Sequence, residues 1–158
     1  MRGWREEDLD AYAALVADPE VMLWLGGTQD RELAWRRGLA LWVGHWELRG
    51  YGLWAVERKS DGVLLGRVGL WNPEGWPGVE VGWTLARHAW GQGYAYEAAL
   101  AATDWAWANL PIDRLLSVIA PDNGRSRRVA ERLGMAVVGS HQIGEIDALV
   151  YGVDRPVG

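Results

Sequence analysis

The chain has 158 residues, 49% hydrophobic and 23% charged, with a formal net charge of −5. That length suits one compact domain around one core, and the composition is that of a folded globular protein rather than a disordered one. No uncharged run approaches the ~20 apolar residues of a membrane span, a mildly acidic chain is a poor nucleic-acid surface, and the absence of cysteine excludes disulfides, thiolate catalysis and Cys-ligated metals.

Met1-Arg2-Gly3-Trp4-Arg5-Glu6-Glu7-Asp8 has no apolar h-region, so the expected compartment is the cytoplasm. Two features of composition are unusual. There are 12 Trp and no Phe, and Lys59 is the only lysine. Drift in a GC-rich genome and an edited or engineered sequence both account for this.

Leu9, Tyr12, Ala13, Leu15 and Val16 recur at near-helical spacing and predict a short amphipathic helix over residues 6–17. Pro19 interrupts it, and residues 21–25 read as a brief apolar turn. Thr28 or Asp30 can cap a second helix over residues 32–48, with Leu33, Trp35, Leu39, Leu41, Trp42 and Trp46 as its apolar face. Strands at residues 53–57 and 63–71 flank Ser60-Asp61-Gly62, and Asp-Gly between apolar runs signals a hairpin. After a Gly/Pro loop at residues 72–77 comes a third strand at 79–85. An Ala-rich helix is predicted over residues 92–109, a strand over 114–119 and a helix over 124–133. Two last strands follow at 136–139 and 148–153, joined through Ile143-Gly144-Glu145. A meander followed by strand–helix units is an α/β layered domain with a mixed sheet, and residues 1–158 read as one domain without repeats or linkers.

The stretch that carries chemistry is Glu80-Val81-Gly82-Trp83-Thr84-Leu85-Ala86-Arg87-His88-Ala89-Trp90-Gly91-Gln92-Gly93-Tyr94-Ala95-Tyr96-Glu97-Ala98. A strand ends, a turn carries two glycines and a helix begins. The first turn of a helix has unpaired N–H groups and a partial positive charge, which attract phosphate, and glycine lets the backbone approach it closely. Gly-x-Gly alone also fits a plain tight turn. A Rossmann site lacks its third glycine here, and no Gly-Lys-Ser/Thr exists for a Walker loop.

Trp90-Gly91-Gln92-Gly93-Tyr94-Ala95-x-Glu97-Ala98 resembles the acetyl-CoA motif of the GNAT superfamily, in the branch of ribosomal-protein alanine N-acetyltransferases (RimJ/RimL-like). Trp4-Arg5-Glu6-Glu7-Asp8-Leu9 is similar to the opening of that family's first helix, Gly78-Val79-Glu80-Val81-Gly82-Trp83 to its central strand, and the segment from Pro121-Asp122-Asn123 through Ser126, Val129 and Ala130 to Leu133-Gly134-Met135 to its last helix. The resemblance implies the GNAT fold, a mixed, mostly antiparallel sheet with a V-shaped split and helices on both faces. Acetyl-CoA would lie in the split as co-substrate, with no metal. Its pantetheine arm would pair with the backbone of Trp83, Thr84 and Leu85, and its pyrophosphate would sit on the amides of Gly91, Gln92, Gly93, Tyr94, Ala95 and Tyr96, flanked by His88 and Trp90. The implied activity is acetyl transfer to a primary amine, either a small molecule or a protein N-terminus, by direct attack in a ternary complex. A non-catalytic acyl-CoA binder or repurposed scaffold is the alternative.

Strand alternation sends Glu80 to the face opposite Val79 and Val81. The resemblance makes it the base that deprotonates the amine, whereas its plain reading is an exposed or salt-bridged carboxylate. Ser126 shares the inward stripe of Val129, Ala130 and Leu133. The resemblance makes it a donor to the departing sulfur, and the plain reading is a hydroxyl satisfying the helix start. Asn123 would bond the pantetheine amide or simply cap the helix. Arg125, Arg128 and Arg132 form that helix's other face, largely solvated, from which one could reach the CoA 3′-phosphate. Trp24, Trp35, Trp42 and the 72–77 loop are expected to shape the acceptor pocket. Tyr96 stands where the family usually has Thr. The family's full first edge strand is missing or vestigial ahead of Trp4, which would expose a sheet edge and favour a homodimer.

Overall fold

The protein is described by a computed structural model covering residues 1–156. Strands β1 (Leu53–Glu57), β2 (Leu64–Trp71), β3 (Glu80–Leu85), β4 (Arg114–Ile119), β5 (Ala136–Ile143) and β6 (Ile146–Asp154) form one sheet in the order β1-β2-β3-β4-β6-β5. Every neighbouring pair is antiparallel except β3 and β4, which run parallel. The β1–β2 hairpin turns where Asp-Gly predicts it. Arg58 grips the Asp61 carboxylate through Nε and Nη2 at 2.9 and 2.6 Å, and Gly62 supplies the positive φ of 73° that the turn needs.

Helices cover both faces, each over its own apolar cluster. On one face lie α1 (Leu9–Val16), the single turn α2 (Pro19–Met22) and the helical run α3 (Arg31–Ala34) to α4 (Ala40–Arg49). Leu9, Tyr12, Leu15, Leu39, Trp42 and Leu53 form their core. On the other face α5 (Tyr94–Asn109) presses Ala98, Ala99, Ala102 and Ala106 against β2 and β3, meeting Val68, Leu70 and Val81. An alanine face lets a helix axis lie close to a sheet, so little volume is left open there. The last helix, α6 (Gly124–Arg132), follows β4.

Several elements differ from the sequence expectation. The second helix is not one regular α-helix. Residues Trp35–Leu39 form a π-turn between α3 and α4, which takes later residues out of the 3.6-residue phase. Leu39 and Trp42 therefore point inward, while Trp35 and Leu41, counted on the apolar face, are 49% and 46% exposed. Gly38 sits in that turn against Tyr12, where an added Cβ would lie 2.8 Å from the ring. The predicted apolar turn at 21–25 begins as a helical turn at Pro19, capped by Asp18 accepting from the Glu20 amide. Asp30, rather than Thr28, caps α3 by accepting from the Leu33 amide at 2.8 Å. The final hairpin is longer than predicted at both strands and turns at Gly144 (φ 57°).

At the opposite edge, Arg2 bridges Ala55 of β1 through two backbone hydrogen bonds of 3.0 and 2.9 Å. This single bridge stands where a full edge strand would run. It is held by the Arg2 guanidinium, which donates to both oxygens of the buried Asp8 carboxylate (2.8 and 2.7 Å) and to Glu57 (2.8 Å).

What positions the site is the junction of β3 and β4. Their only paired register is Glu80 with Leu116, alongside a hydrogen bond from the Leu116 amide to the Val79 carbonyl. Past that point the parallel strands diverge, leaving one edge of β3 unpaired in the middle of the sheet.

Candidate active site

A cleft of about 1090 Å³ follows this split. It is lined by backbone and side chains of β3, the start of α5, α6 and the helical run on the first face. Because the Ala86 amide bonds to Leu65 of the β2 side, alternation points the amides of Thr84 and Gly82 toward β2. Those of Trp83 and Leu85 point into the gap. The Trp90 indole donates to the Leu85 carbonyl at 2.8 Å and so uses one gap-facing acceptor. The Thr84 hydroxyl, on a residue 5% exposed, has no hydrogen-bond partner.

At one end of the cleft the chain passes from β3 through Gly91 (φ 72°) and Gly93 (φ 88°) into α5. These left-handed conformations strain any residue with a Cβ, so the helix begins at Tyr94 rather than Gln92. The first helical bond is from the Glu97 amide to the Gly93 carbonyl. Among the described residues, no backbone carbonyl of a loop or turn accepts an amide of residues 91–96. Gly91, Gly93, Tyr94, Ala95 and Tyr96 all line the open cleft. Facing them across the cleft, Arg132 stacks on Tyr96 at 4.0 Å and Arg125 on Trp90 at 3.8 Å, with Arg128 between them in sequence and also lining it. The arginine face of α6 is solvent-exposed, as expected, and it also borders the open cleft with three guanidinium groups. This end is electropositive both from unpaired amides and from side chains.

Near the origin of the split, Glu80 accepts from the Trp76 indole N–H at 2.7 Å and from the Val118 amide of β4 at 3.1 Å. Its carboxylate thus stands in for a ladder partner where the strands part. Burial pushes Glu80 up to about 7, with the two hydrogen bonds and the Arg67 charge pulling it partly back. A carboxyl poised near neutrality can exchange a proton at physiological pH.

The structure brings most of the predicted residues together. Glu80, Trp83, Thr84, Leu85, Trp90, Asn123 and Ser126 line the same cleft as the glycine turn. Ser126 Oγ accepts from the Trp83 indole at 3.3 Å, and Asn123 Oδ1 caps α6 by accepting from the Ser126 amide at 3.2 Å. His88 is exposed on a short 3₁₀ turn, and the Gln92 side chain donates to its carbonyl at 2.6 Å, so neither side chain faces the cleft. Trp24 and Trp42 line the other end together with Trp71 and Trp76, whereas Trp35 does not. Tyr151 is buried, with its hydroxyl accepting from Arg127 at 3.0 Å. His45 is packed under Trp71. It donates from Nδ1 to the Tyr51 carbonyl (2.7 Å) and accepts the Asn72 amide at Nε2 (3.3 Å), an arrangement that serves the loop. Sequence reasoning missed Trp76 as the partner of Glu80, and it missed Arg67. An arginine inside the apolar run Leu64-Leu65-Gly66-Arg67-Val68 was the available signal.

Comparison with known proteins agrees with this geometry. Residues 1–136 match the family model described as an acetyltransferase (GNAT) domain. The uncharacterized protein YkkB of Bacillus subtilis (strain 168) is 37% identical over 131 residues, spanning 78% of this chain and 73% of that protein. The crystal structure of an acetyltransferase from Agrobacterium tumefaciens str. C58 superposes with a TM-score of 0.86 at 30% identity, covering 96% of this chain and 88% of that one. Spermidine N-acetyltransferase from Vibrio cholerae, crystallised with CoA and spermine, shares the fold at a TM-score of 0.77 and 17% identity over 98% of this chain and 94% of its own. On the match over most of its length, the chain belongs to the GNAT acetyltransferase family.

Proposed function

We propose that this protein transfers an acetyl group from acetyl-CoA to a primary amine by direct attack in a ternary complex. The observation that carries the reading is one continuous cleft. It has unbonded main-chain amides at residues 91–96 at one end and the Glu80 carboxyl near its neutral point at the other.

The donor residues fit a CoA thioester. The amides of residues 91–96 suit a pyrophosphate, and the gap-facing edge at Trp83 and Leu85 suits an amide-bearing arm. Arg125, Arg128 and Arg132 add positive charge beside them. When bound, acetyl-CoA supplies an activated acetyl carbon whose C–S bond breaks as the C–N bond forms. Glu80 takes a proton from the incoming ammonium, freeing the nitrogen lone pair for attack. The Trp83 indole holds the Ser126 hydroxyl as an acceptor, which leaves its own hydrogen free for the departing sulfur. The net change is ammonium plus thioester to amide, thiol and one proton. With no cysteine in the chain, direct attack requires no thiol-bound acyl enzyme. The branch closest to ribosomal-protein alanine acetyltransferases is part of the proposal and rests on the motifs around residues 90–98 and 121–135.

The test is free-thiol release from acetyl-CoA across a panel of amines, with thermal shift by CoA measured in parallel. Acetyl-CoA-dependent thiol release with at least one amine is the expected result. A thermal shift with silence across the panel would leave a non-catalytic CoA binder, and silence in both would sink the assignment.

A further inference from the structure

Five arginines in this protein are half-buried, and four of them donate hydrogen bonds to named acceptors. Arg2 bonds Asp8 and Glu57, Arg58 bonds Asp61, Arg127 bonds Tyr151 and the Pro121 carbonyl, and Arg155 donates to three backbone carbonyls. Arg67 is the exception. Among the described residues it has no carboxylate partner; the Tyr12 hydroxyl lies within its reach, and its Nε is buried and unsatisfied. Its guanidinium lies over the Trp42 ring at 5.1 Å, which covers one face without accepting a planar N–H donor. That one N–H is costly to leave unpaired, while the terminal Nη groups, which are not buried, are the ones an anion entering the cleft can reach.

Arg67 lines the acceptor end of the cleft. It pairs in register with Thr84 of β3, which lies on the same face as Gly82 and Glu80. Thr84 and Glu80 are four residues apart, a strand rise of ~13 Å, which the two long side chains close from either end. Between them the floor is Gly82, where an added Cβ would meet nothing nearer than the Glu80 carboxyl oxygen at 3.7 Å. A cation and a proton-accepting carboxyl thus face a bare patch of backbone from opposite sides.

The surrounding charge has the same sense. Arg37 also lines this end and carries no carboxylate partner among the described residues. Of the acids that line the cleft besides Glu80, Glu20 is already paired with Arg87 at 2.8 Å and Glu145 sits on the exposed β5–β6 turn. A polyamine would place its second cation against unpaired guanidinium groups, and an anion there would be welcomed.

We propose that the acceptor is a small amine that also carries a carboxylate, an amino-acid-like molecule whose anion is held by Arg67 while its amine faces Glu80. This rests on the acetyl-transfer reading above and narrows its substrate class. An Arg–carboxylate fork is directional and bidentate, so it would orient the amine as well as bind the molecule.

Thiol release from the unmodified protein should be compared for α-amino acids, their carboxamides and spermidine. The carboxylate form should be favoured over its carboxamide by at least ~10-fold in kcat/KM. Arg67→Met should remove that preference by raising the amine KM roughly 10- to 100-fold, the size of a charged hydrogen bond. The KM for acetyl-CoA should stay put, and Arg67→Lys should restore part of the preference. Equal rates for acid and amide, preference for spermidine, or a preference that survives Arg67→Met would each overturn the proposal while leaving acetyl transfer standing. No thiol from any amine would overturn both. If Arg67→Met fails to fold, the acid-against-amide comparison in the unmodified protein decides alone.

Discussion

The two ends of the cleft are built from different materials. The end at residues 91–96 is made chiefly of main chain, with two glycines at positive φ and the open first turn of α5, bordered by the arginines of α6. The end around Glu80 is made of side chains gathered from distant segments: Trp76 from the loop before β3, Arg67 from β2, Trp24 from the turn after α2 and Trp42 from α4. A backbone site tolerates almost any side chain that leaves φ and ψ alone. A side-chain site can be lost or retuned by a single substitution. The first end is thus insensitive to most side-chain changes, and the second is sensitive to them.

That contrast can be broken most sharply at Glu80. Glu80→Gln removes the proposed proton acceptor but keeps the shape, and kcat should fall ~10²- to 10⁴-fold while the thermal shift produced by CoA persists. Equal loss of CoA binding would mean that the two ends are not separable.

Next in size is Gly93→Val. Its φ of 88° is hostile to a β-branched residue, and misplacing the amides should raise the KM for acetyl-CoA ~10- to 100-fold, the equivalent of the strain involved. The amine KM should hardly move. A variant with normal CoA kinetics would deny the amides their role.

The Glu80 environment also predicts an unusual pH dependence of stability. Between the ordinary carboxylate value near 4.5 and about 7 the folded protein keeps a proton that the unfolded chain has released. Folding therefore weakens as pH rises through that window, by ~3 kcal/mol in all. Melting curves from pH 4.5 to 8 should show Glu80→Gln gaining on the unmodified protein toward pH 8 and matching it near pH 4.5. The opposite trend would mean that the carboxyl is not held back from ionising. Asp8 contributes in the opposite sense. Burial works against its ionised form, but the bonds from Arg2 and the Arg5 amide hold it below the ordinary range. Its stabilisation is present above the unfolded value and is lost as pH falls through the folded one.

The smallest effect is expected at Arg132. Removing its stack on Tyr96 by Arg132→Ala should raise the acetyl-CoA KM only ~2- to 5-fold, the range of an exposed cation–π contact plus a screened charge, and the difference should shrink in high salt. A salt-independent effect would point to packing rather than charge. Arg67→Met, with its effect on the amine alone, is the mirror of this test at the other end.

Much of the fold was legible locally. Asp61-Gly62 marked the β1–β2 turn, and Gly50 and Gly134 closed helices at positive φ. The alternation around Val79-Glu80-Val81 placed Glu80 off the α5 face. The π-turn at Trp35–Leu39 was not legible: it sets Gly38 against Tyr12 of another helix, a contact that local spacing does not contain. The arginines of α6 are solvent-facing, as their helical spacing suggests, but the helix alone gives no sign that a cleft runs beside them.

By itself the sequence determined the main-chain half of the candidate site, since glycine at residues 91 and 93, a strand before them and an alanine-rich helix after them confine the backbone through short-range sterics. Only the tertiary structure decided the other half. Which indole holds Glu80, which arginine is left with a buried unpaired N–H and how far β3 parts from β4 depend on contacts between residues tens of positions apart. Their energies are set by burial, and burial exists only once the layers have packed.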